Sequence, residues 1–223
     1  MPRTARNAPG GLIYHVINRG VGKQRIFFDD SDYLAFEGVI EETLVKRPMR
    51  ILSYCLMPNH WHFVLWPEND GDLANFMQRL TVTHVTRWQK YYNMVGYGHL
   101  YQGRFKSFPV DSDEYFYQVN RYVERNALRA NLVNKAEDWQ WGSLWIREHG
   151  TAEHRAMLSK WPIPKRRDWT AYVNQAISKG ELEAIRRSCV RGSPYGSKDW
   201  VAKTAKRLGL ESTLRRPGRP KKL

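Results

Sequence analysis

The sequence predicts an α+β domain in which helices pack on an antiparallel sheet, followed by a small, basic, helical extension. Short runs of β-branched and aromatic residues alternate with longer segments of helical periodicity through about residue 147, the order expected when sheet and helices share one core. At 223 residues, 42% of them hydrophobic, the chain is long enough for one full core and an appendage. Beyond residue 147 the strand signals stop while Lys and Arg accumulate.

Residues 12–19, from Leu12 to Arg19, are rich in β-branched and aromatic side chains and are closed by Gly20, so they read as a first strand. Arg25-Ile26-Phe27-Phe28 reads as a short second one. Asp29, Asp30, Ser31 and Asp32 offer N-caps to a helix reaching about Lys46, with Tyr33, Phe36, Ile40 and Leu44 on one stripe and Pro48 beyond its end. Residues 49–56 and the run beginning at His60 read as two strands parted only by Pro58-Asn59, and they are expected to pair as a hairpin. A second helix spans 72–92, with Leu73, Phe76, Met77, Leu80, His84 and Trp88 as its buried stripe. His84 reads as a half-buried helix residue, because nothing metal-like neighbours it in sequence. After the break at Gly96-Tyr97-Gly98, residues 100–110 return to strand character, with Arg104 and Lys106 on one face. Asp111, Ser112, Asp113 and Glu114 then cap a third helix, from Tyr115 to about Leu132.

This order points to a ferredoxin-like α+β domain over residues 1–147. Residues 148–190 read as a linker, centred on 161–167, and a helical extension with short helices at 169–179 and 181–187. Residues 191–223 read as a basic, DNA-binding tail that holds one helix, 199–208, stopped by Gly209. Its last residues, from Arg215 to Lys222, carry too little apolar matter to pack.

Thirty-six basic against 22 acidic residues leave a formal charge of +14, and the excess is clustered. Before Asp29 the chain carries Arg3, Arg6, Arg19, Lys23 and Arg25 and no acid, and from Arg186 onward only Asp199 and Glu211 oppose a dozen cations. Clustering of this kind is the footprint of a polyanion binder, with nucleic acid as the leading partner and a merely solvated basic surface as the plainer alternative. Two cysteines, Cys55 and Cys189, exclude both a disulfide framework and a four-thiolate zinc site. No apolar run approaches the about 20 residues of a membrane span, and the N-terminus lacks the apolar core of a secretory signal. A cytoplasmic protein without a membrane partner is expected.

The most informative local feature is His60-Trp61-His62, inside an apolar run that continues to Trp66. On a strand, His60 and His62 share one face while Trp61, Phe63 and Leu65 take the other. Two imidazoles side by side on rigid backbone suit a divalent metal with open positions, although a merely structural strand fits the pattern equally well. On the third helix Tyr122 and Asn126 are spaced i, i+4 and therefore lie one turn apart on one face. An amide oxygen is a competent third ligand for Mg²⁺ or Mn²⁺. A phenol, a metal and a basic groove together point to phosphodiester chemistry through a covalent intermediate. Arg121, Arg125 and Arg129 form a second row, spaced to hold phosphates. Tyr115, Val119 and Tyr122 also fit an amphipathic stripe, so core packing remains open for Tyr122, but neither Tyr115 nor Tyr117 has a ligand-type residue one turn on.

His60-Trp61-His62, the stretch from Leu100 to Ser107, and the stretch from Arg121 to Val133 together resemble the REP-associated tyrosine transposases, single-tyrosine members of the HUH endonuclease class. The likeness continues through 137–144 and into the tail, with Ala127 where the family usually has Pro and Tyr101 where Trp is common. The resemblance implies an HUH catalytic domain with metal on His60 and His62, Tyr122 as nucleophile and Asn126 as a helix ligand. It implies cleavage and rejoining of single-stranded DNA at hairpins of repetitive extragenic palindromes, through a 5′-phosphotyrosine and a free 3′-hydroxyl. The N-terminal cations through Arg25 then become candidate readers of the hairpin foot, and the run holding Arg216 and Arg219 is similar to an AT-hook core. A zinc hydrolase would want a further Asp-His pair after His62, where Phe63-Val64 stands, and a zinc deaminase needs a Pro-Cys-x-x-Cys that is missing. The alternative from another class is a catalytically idle, domesticated regulator that binds DNA or RNA hairpins.

Overall fold

In the computed structural model, which describes residues 7–215, the strands β1 (Ile13–Arg19), β2 (Arg50–Met57), β3 (His60–Trp66) and β4 (Lys106–Val110) form one antiparallel sheet in the order β2-β3-β1-β4. Helix α1 (Asp30–Lys46) joins β1 to β2, and α2 (Asp72–Tyr91) joins β3 to β4. This is the ferredoxin-like arrangement, with both crossover helices on one face of the sheet. Arg3, Arg6, Arg216 and Arg219 lie outside the described residues.

Local chemistry sets the helices. The Asp29 carboxylate accepts the Ser31 and Asp32 backbone N–H groups and opens α1, while Asn93, at φ 54°, follows the end of α2 in the left-handed conformation that asparagine tolerates. Phe36, Ile40, Phe76 and Leu80 from these helices meet Tyr14, Val16, Trp61, Phe63 and Leu65 from the sheet in a first core. At its centre Trp61 Nε1 donates to the Tyr101 hydroxyl at 2.9 Å, and that hydroxyl lies 2.6 Å from His84 Nδ1. Tyr101 is therefore a buried core residue and not a surface on which bases stack, and His84 is more deeply buried than its sequence context implied.

The other face of the sheet carries a second core. Helix α3 (Glu114–Glu124) lies against it, with Phe116, Val119 and Val123 packed on Leu52, Cys55, Val64 and Phe108. A bulge between Ile51 and Ser53 lets Ser53 join Leu52 on this face, where its hydroxyl donates to Asn120 Oδ1 at 2.5 Å. After α4 (Asn126–Arg129) come α5 (Ser143–His149), α6 (Ala152–Ala156), α7 (Trp169–Asn174), α8 (Lys179–Arg191), α9 (Lys198–Leu208) and α10 (Glu211–Leu214).

Residues 148–190 do not hang free of the sheet domain. Trp161, in the expected linker, donates its indole N–H to Leu52 O at 2.8 Å, and Ile163, Ile177 and Leu182 pack on the second core. Both sheet edges are closed. On the β2 side Leu56 N donates to Trp141 O and Ser159 N to Ile51 O, and on the β4 side Tyr195 N donates to the carbonyl of Pro109, a residue that only an edge strand tolerates.

Five local expectations are corrected. Residues 25–28 form no strand, because Ile26 and Phe27 bury their side chains while both backbone N–H groups donate to Pro58 O, a turn carbonyl. The strand expected over 100–110 begins only at Lys106, since Gly103 takes φ 147° and bends the chain away. Arg104 consequently sits in a bend and shares no strand face with Lys106. The third helix is interrupted at Arg125 (φ −83°, ψ 1°), and α4 resumes for one turn. Asp113, at φ 67°, offers no side-chain cap to α3, and Asp111 turns instead to Ser197 N and Oγ at 3.2 Å. The short helices after residue 168 divide differently, with α7 ending at Asn174 and α8 starting at Lys179 because the Ser178 side chain caps it.

Burial lowers the His84 pKa from 6.5 to about 3, so from pH 6.5 down to about 3 the unfolded chain takes up a proton that the folded chain refuses. Stability must fall as the pH drops through that window, with His84 contributing about 1.4 kcal/mol per pH unit. Urea unfolding between pH 7 and pH 5 should show a shallower loss in His84→Gln than in the parent protein; equal slopes would mean that the imidazole is protonated in the fold.

Candidate active site

Alternation along β3 sends His60 and His62 to the α3 face while Trp61 enters the opposite core. His62 is buried and His60, at the strand's start, is half-buried. On the neighbouring β1, Ile17 stands opposite His62 and His15 opposite Val64, which brings His15 Nε2 to 2.8 Å from His62 Nδ1. His15 Nδ1 in turn faces Cys189 Sγ of α8 at 3.9 Å. If His62 is to offer its Nε2 lone pair, its Nδ1 must carry the proton and donate to His15 Nε2, and His15 must then direct its own Nδ1–H towards the sulfur. The same orientation holds at His60, whose Nδ1 lies 2.6 Å from Asn59 Oδ1 while Nε2 lies 3.5 Å from Asn126 Nδ2.

Helix α3 delivers Tyr122 to this pair. Its ring stands edge-on to His62, with centroids 5.6 Å apart at 87°, and 6.0 Å from His15. Past the break at Arg125, the Arg129 guanidinium lies 4.6 Å over the Tyr122 ring and donates from Nη2 to Asn126 Oδ1 at 2.5 Å. The four residues singled out in sequence, His60, His62, Tyr122 and Asn126, thus lie together between sheet and helix, with His62, Tyr122 and Asn126 buried and Tyr122 packed into the second core.

Charge is scarce at this site. Burial lowers the His60 pKa to about 4, helped by Arg129 and Arg19, and holds His62 well below 6.5. Both imidazoles are therefore neutral near pH 7, the state in which they ligate metals. Burial raises the Tyr122 phenol, and Arg129 opposes that shift. Cys189, pushed up to about 12 by burial, stays a thiol. Two imidazole nitrogens and a neutral amide, with both Nδ1 positions already engaged, fit an octahedral divalent ion that keeps positions for phosphate oxygens. Among the described residues no three His, Cys, Asp or Glu side chains form a metal-holding group. As placed, the Asn126 amide turns its oxygen to Arg129 and its nitrogen to His60.

The expected arginine row is split. Arg121 is buried, paired with Glu181 at 2.6 Å and held 4.2 Å from the Tyr172 ring, so its charge is spent inside the fold, away from any phosphate. Arg125 is half-buried, and only Arg129 reaches the site. Arg125 Nε and Arg129 Nη1 are buried donors without hydrogen-bond partners among the described residues. Arg19, Lys23, Arg25, Arg104 and Lys106 are exposed, with Arg19 bonded to Gln102. Sequence reasoning missed His15 and Cys189. The only signal for His15 is a single imidazole inside the apolar run from Ile13 to Ile17, and Cys189 comes from a distant helix.

The family described as "Transposase IS200 like" matches residues 10–126, more than half of the chain. A REP-associated tyrosine transposase solved bound to a REP hairpin is similar in fold, with a TM-score of 0.53 and 14% identity, covering 80% of this chain and 100% of that one. A crystal structure of a Deinococcus radiodurans R1 protein, provisionally named a transposase, matches with a TM-score of 0.39 and 16% identity over 55% of this chain and 96% of that one. No curated protein matches.

His15 holds His62 through Nδ1. Its replacement in His15→Phe should weaken Mn²⁺ binding, read by titration calorimetry, by about 10- to 100-fold, while far-UV circular dichroism is unchanged. Unchanged Mn²⁺ affinity would reduce His15 to core filling.

Proposed function

The chain belongs to the IS200-like transposase family, and from that premise we propose that it is a metal-dependent single-stranded DNA endonuclease and strand transferase using Tyr122 as nucleophile. The observation that carries this reading is the convergence of Tyr122 on His62, with Asn126 against His60, between sheet and helix. Its proposed substrate is a DNA hairpin of the repetitive extragenic palindrome type, supported by the fold shared with a transposase solved on such a hairpin.

In this mechanism His60, His62 and Asn126 would hold Mg²⁺ or Mn²⁺, which supplies Lewis-acid withdrawal of charge from the scissile phosphate. His15 and Asn59 keep the two imidazoles oriented through their Nδ1 atoms. The Tyr122 oxygen forms a bond to phosphorus as the bond from phosphorus to the 3′ oxygen breaks. The phenol loses its proton and the departing 3′ oxygen gains one, leaving a 5′-phosphotyrosine and a 3′-hydroxyl. One phosphodiester is exchanged for another, so the reverse step can join strands without an external energy source. The raised pKa of Tyr122 means that the resting phenol is neutral, and the Arg129 guanidinium over its ring favours the phenolate as it forms. The unpartnered Arg129 Nη1 is available to a phosphate oxygen. Outside the site, exposed Arg19, Lys23, Arg25, Arg104 and Lys106 supply the non-specific hold on the strand. Arg3, Arg6, Arg216 and Arg219, outside the described residues, belong to the same proposal by sequence alone.

Incubation of a labelled single-stranded hairpin library with the protein and Mn²⁺ or Mg²⁺ should produce a denaturant-resistant protein–DNA adduct, lost in Tyr122→Phe and in EDTA. Arg129→Ala should slow adduct formation on the order of 100-fold. Tight hairpin binding without any adduct under either metal would assign the chain to the regulators.

A further inference from the structure

A second cleft, of about 430 Å³, opens between the loop after β1 and the C-terminal end of α2, lined by Gln24, Arg25, Phe28, Trp88, Tyr92 and Met94. Three aromatic rings form its walls, with centroid separations of 6.4 Å for Phe28–Trp88, 5.3 Å for Phe28–Tyr92 and 4.8 Å for Trp88–Tyr92. Phe28 is 50% exposed, and Trp88 and Tyr92 are only half-buried. Trp88, expected to finish the buried stripe of α2, turns to this surface.

These rings are held in place at a part-exposed surface. Trp88 Nε1 donates to Ile26 O at 3.1 Å, and the Asp32 carboxylate accepts both the Tyr92 hydroxyl and the Phe28 N–H at 2.7 Å. A single buried carboxylate therefore fixes two walls, and the ordering cost of closing on a flat ligand is already met within the fold. The loop that forms the other wall is folded back so tightly that a Cβ on Gly20 would lie 2.4 Å from Gln24 O. It contributes Arg25, which makes no ion pair among the described residues, and the exposed Lys23 belongs to the same loop. Asp29 lies nearby, but its carboxylate is turned into the first turn of α1.

The cleft is also tied to the catalytic site. Asn59 Nδ2 donates to Lys23 O at 3.1 Å, and Asn59 Oδ1 meets His60 Nδ1 at 2.6 Å. One asparagine thus braces the cleft's loop against the first proposed metal ligand. Pinned rings beside free cations match a ligand with a flat apolar face and an anionic backbone.

We propose that this cleft seats an unpaired nucleobase of the DNA strand, stacked among Phe28, Trp88 and Tyr92, with Arg25 on an adjoining phosphate. The proposal rests on the single-stranded DNA reading above and adds a base-holding site that sets where the strand lies relative to His60.

Binding is measured by fluorescence anisotropy with three labelled DNAs: a blunt hairpin, the same hairpin with a thymidine tail, and the hairpin with a tail of abasic residues that keeps the phosphates. The parent protein should bind the thymidine-tailed hairpin tightest. Phe28→Ala should weaken that complex by about 5- to 100-fold while leaving the blunt and abasic-tailed complexes unchanged, and Phe28→Tyr should restore it. Parent-like binding of all three by Phe28→Ala overturns the proposal, as does an equal loss on the abasic tail or a parent protein with no preference for the thymidine tail. The Tyr122 adduct is scored separately. A thymidine preference that depends on Phe28, in a protein forming no adduct, would sink the catalytic reading and leave the base site standing.

Discussion

Because β3 lies inside the sheet with packed layers on both faces, each of its side chains is committed to one of two environments. Trp61, Phe63 and Leu65 fill the layer under α1 and α2, while His60, His62 and Val64 face α3. A slip of one residue would bury both imidazoles among Phe36 and Phe76 and drive Trp61 into their place. Register is held by ladders on both sides of β3, from β1 and β2. The site's geometry is thus a by-product of packing an apolar strand correctly, and the polar residues depend on the apolar ones.

The same dependence extends to the helix that carries Tyr122. Helix α3 is held between the sheet and the C-terminal extension, whose contacts include buried polar ones. Glu124 accepts the Ser143 hydroxyl at 2.6 Å and Trp169 Nε1 at 2.7 Å, and Arg121 pairs with Glu181 at 2.6 Å. Burying such groups gains little net stability, but leaving any one of them unpaired is costly. They therefore select one rotation and one height for α3. The break at Arg125 then returns the chain towards the sheet, where Asn126 reaches His60 and Arg129 covers Tyr122.

Two surfaces with different electrostatics result. The surroundings of Tyr122 are two neutral imidazoles and one arginine, a low-charge environment that bulk water screens little. The aromatic cleft on the other side of Asn59 is open to solvent and bordered by free cations. A single asparagine, Asn59, hydrogen-bonds both to the loop of the cleft and to His60.

Local physics determined much of this from the sequence alone. The strand patterns of β1 and of the β2–β3 hairpin, the stripes of α1 and α2, the cap of α1, and the shared face of His60 and His62 are matters of local pattern, readable within a few residues. The i, i+4 spacing likewise put Tyr122 and Asn126 on one side. What only the tertiary structure decided involves partners far apart in the chain. Arg121 looked like one of a phosphate-holding row until Glu181, sixty positions on, claimed it. His15 has no local sign of its bond to His62, which arises from strand pairing across 47 residues. Tyr101 is buried against Trp61 and His84, partners 40 and 17 positions away. Periodicity reports which face a side chain takes, but what waits on that face is set by segments that meet only when the chain folds.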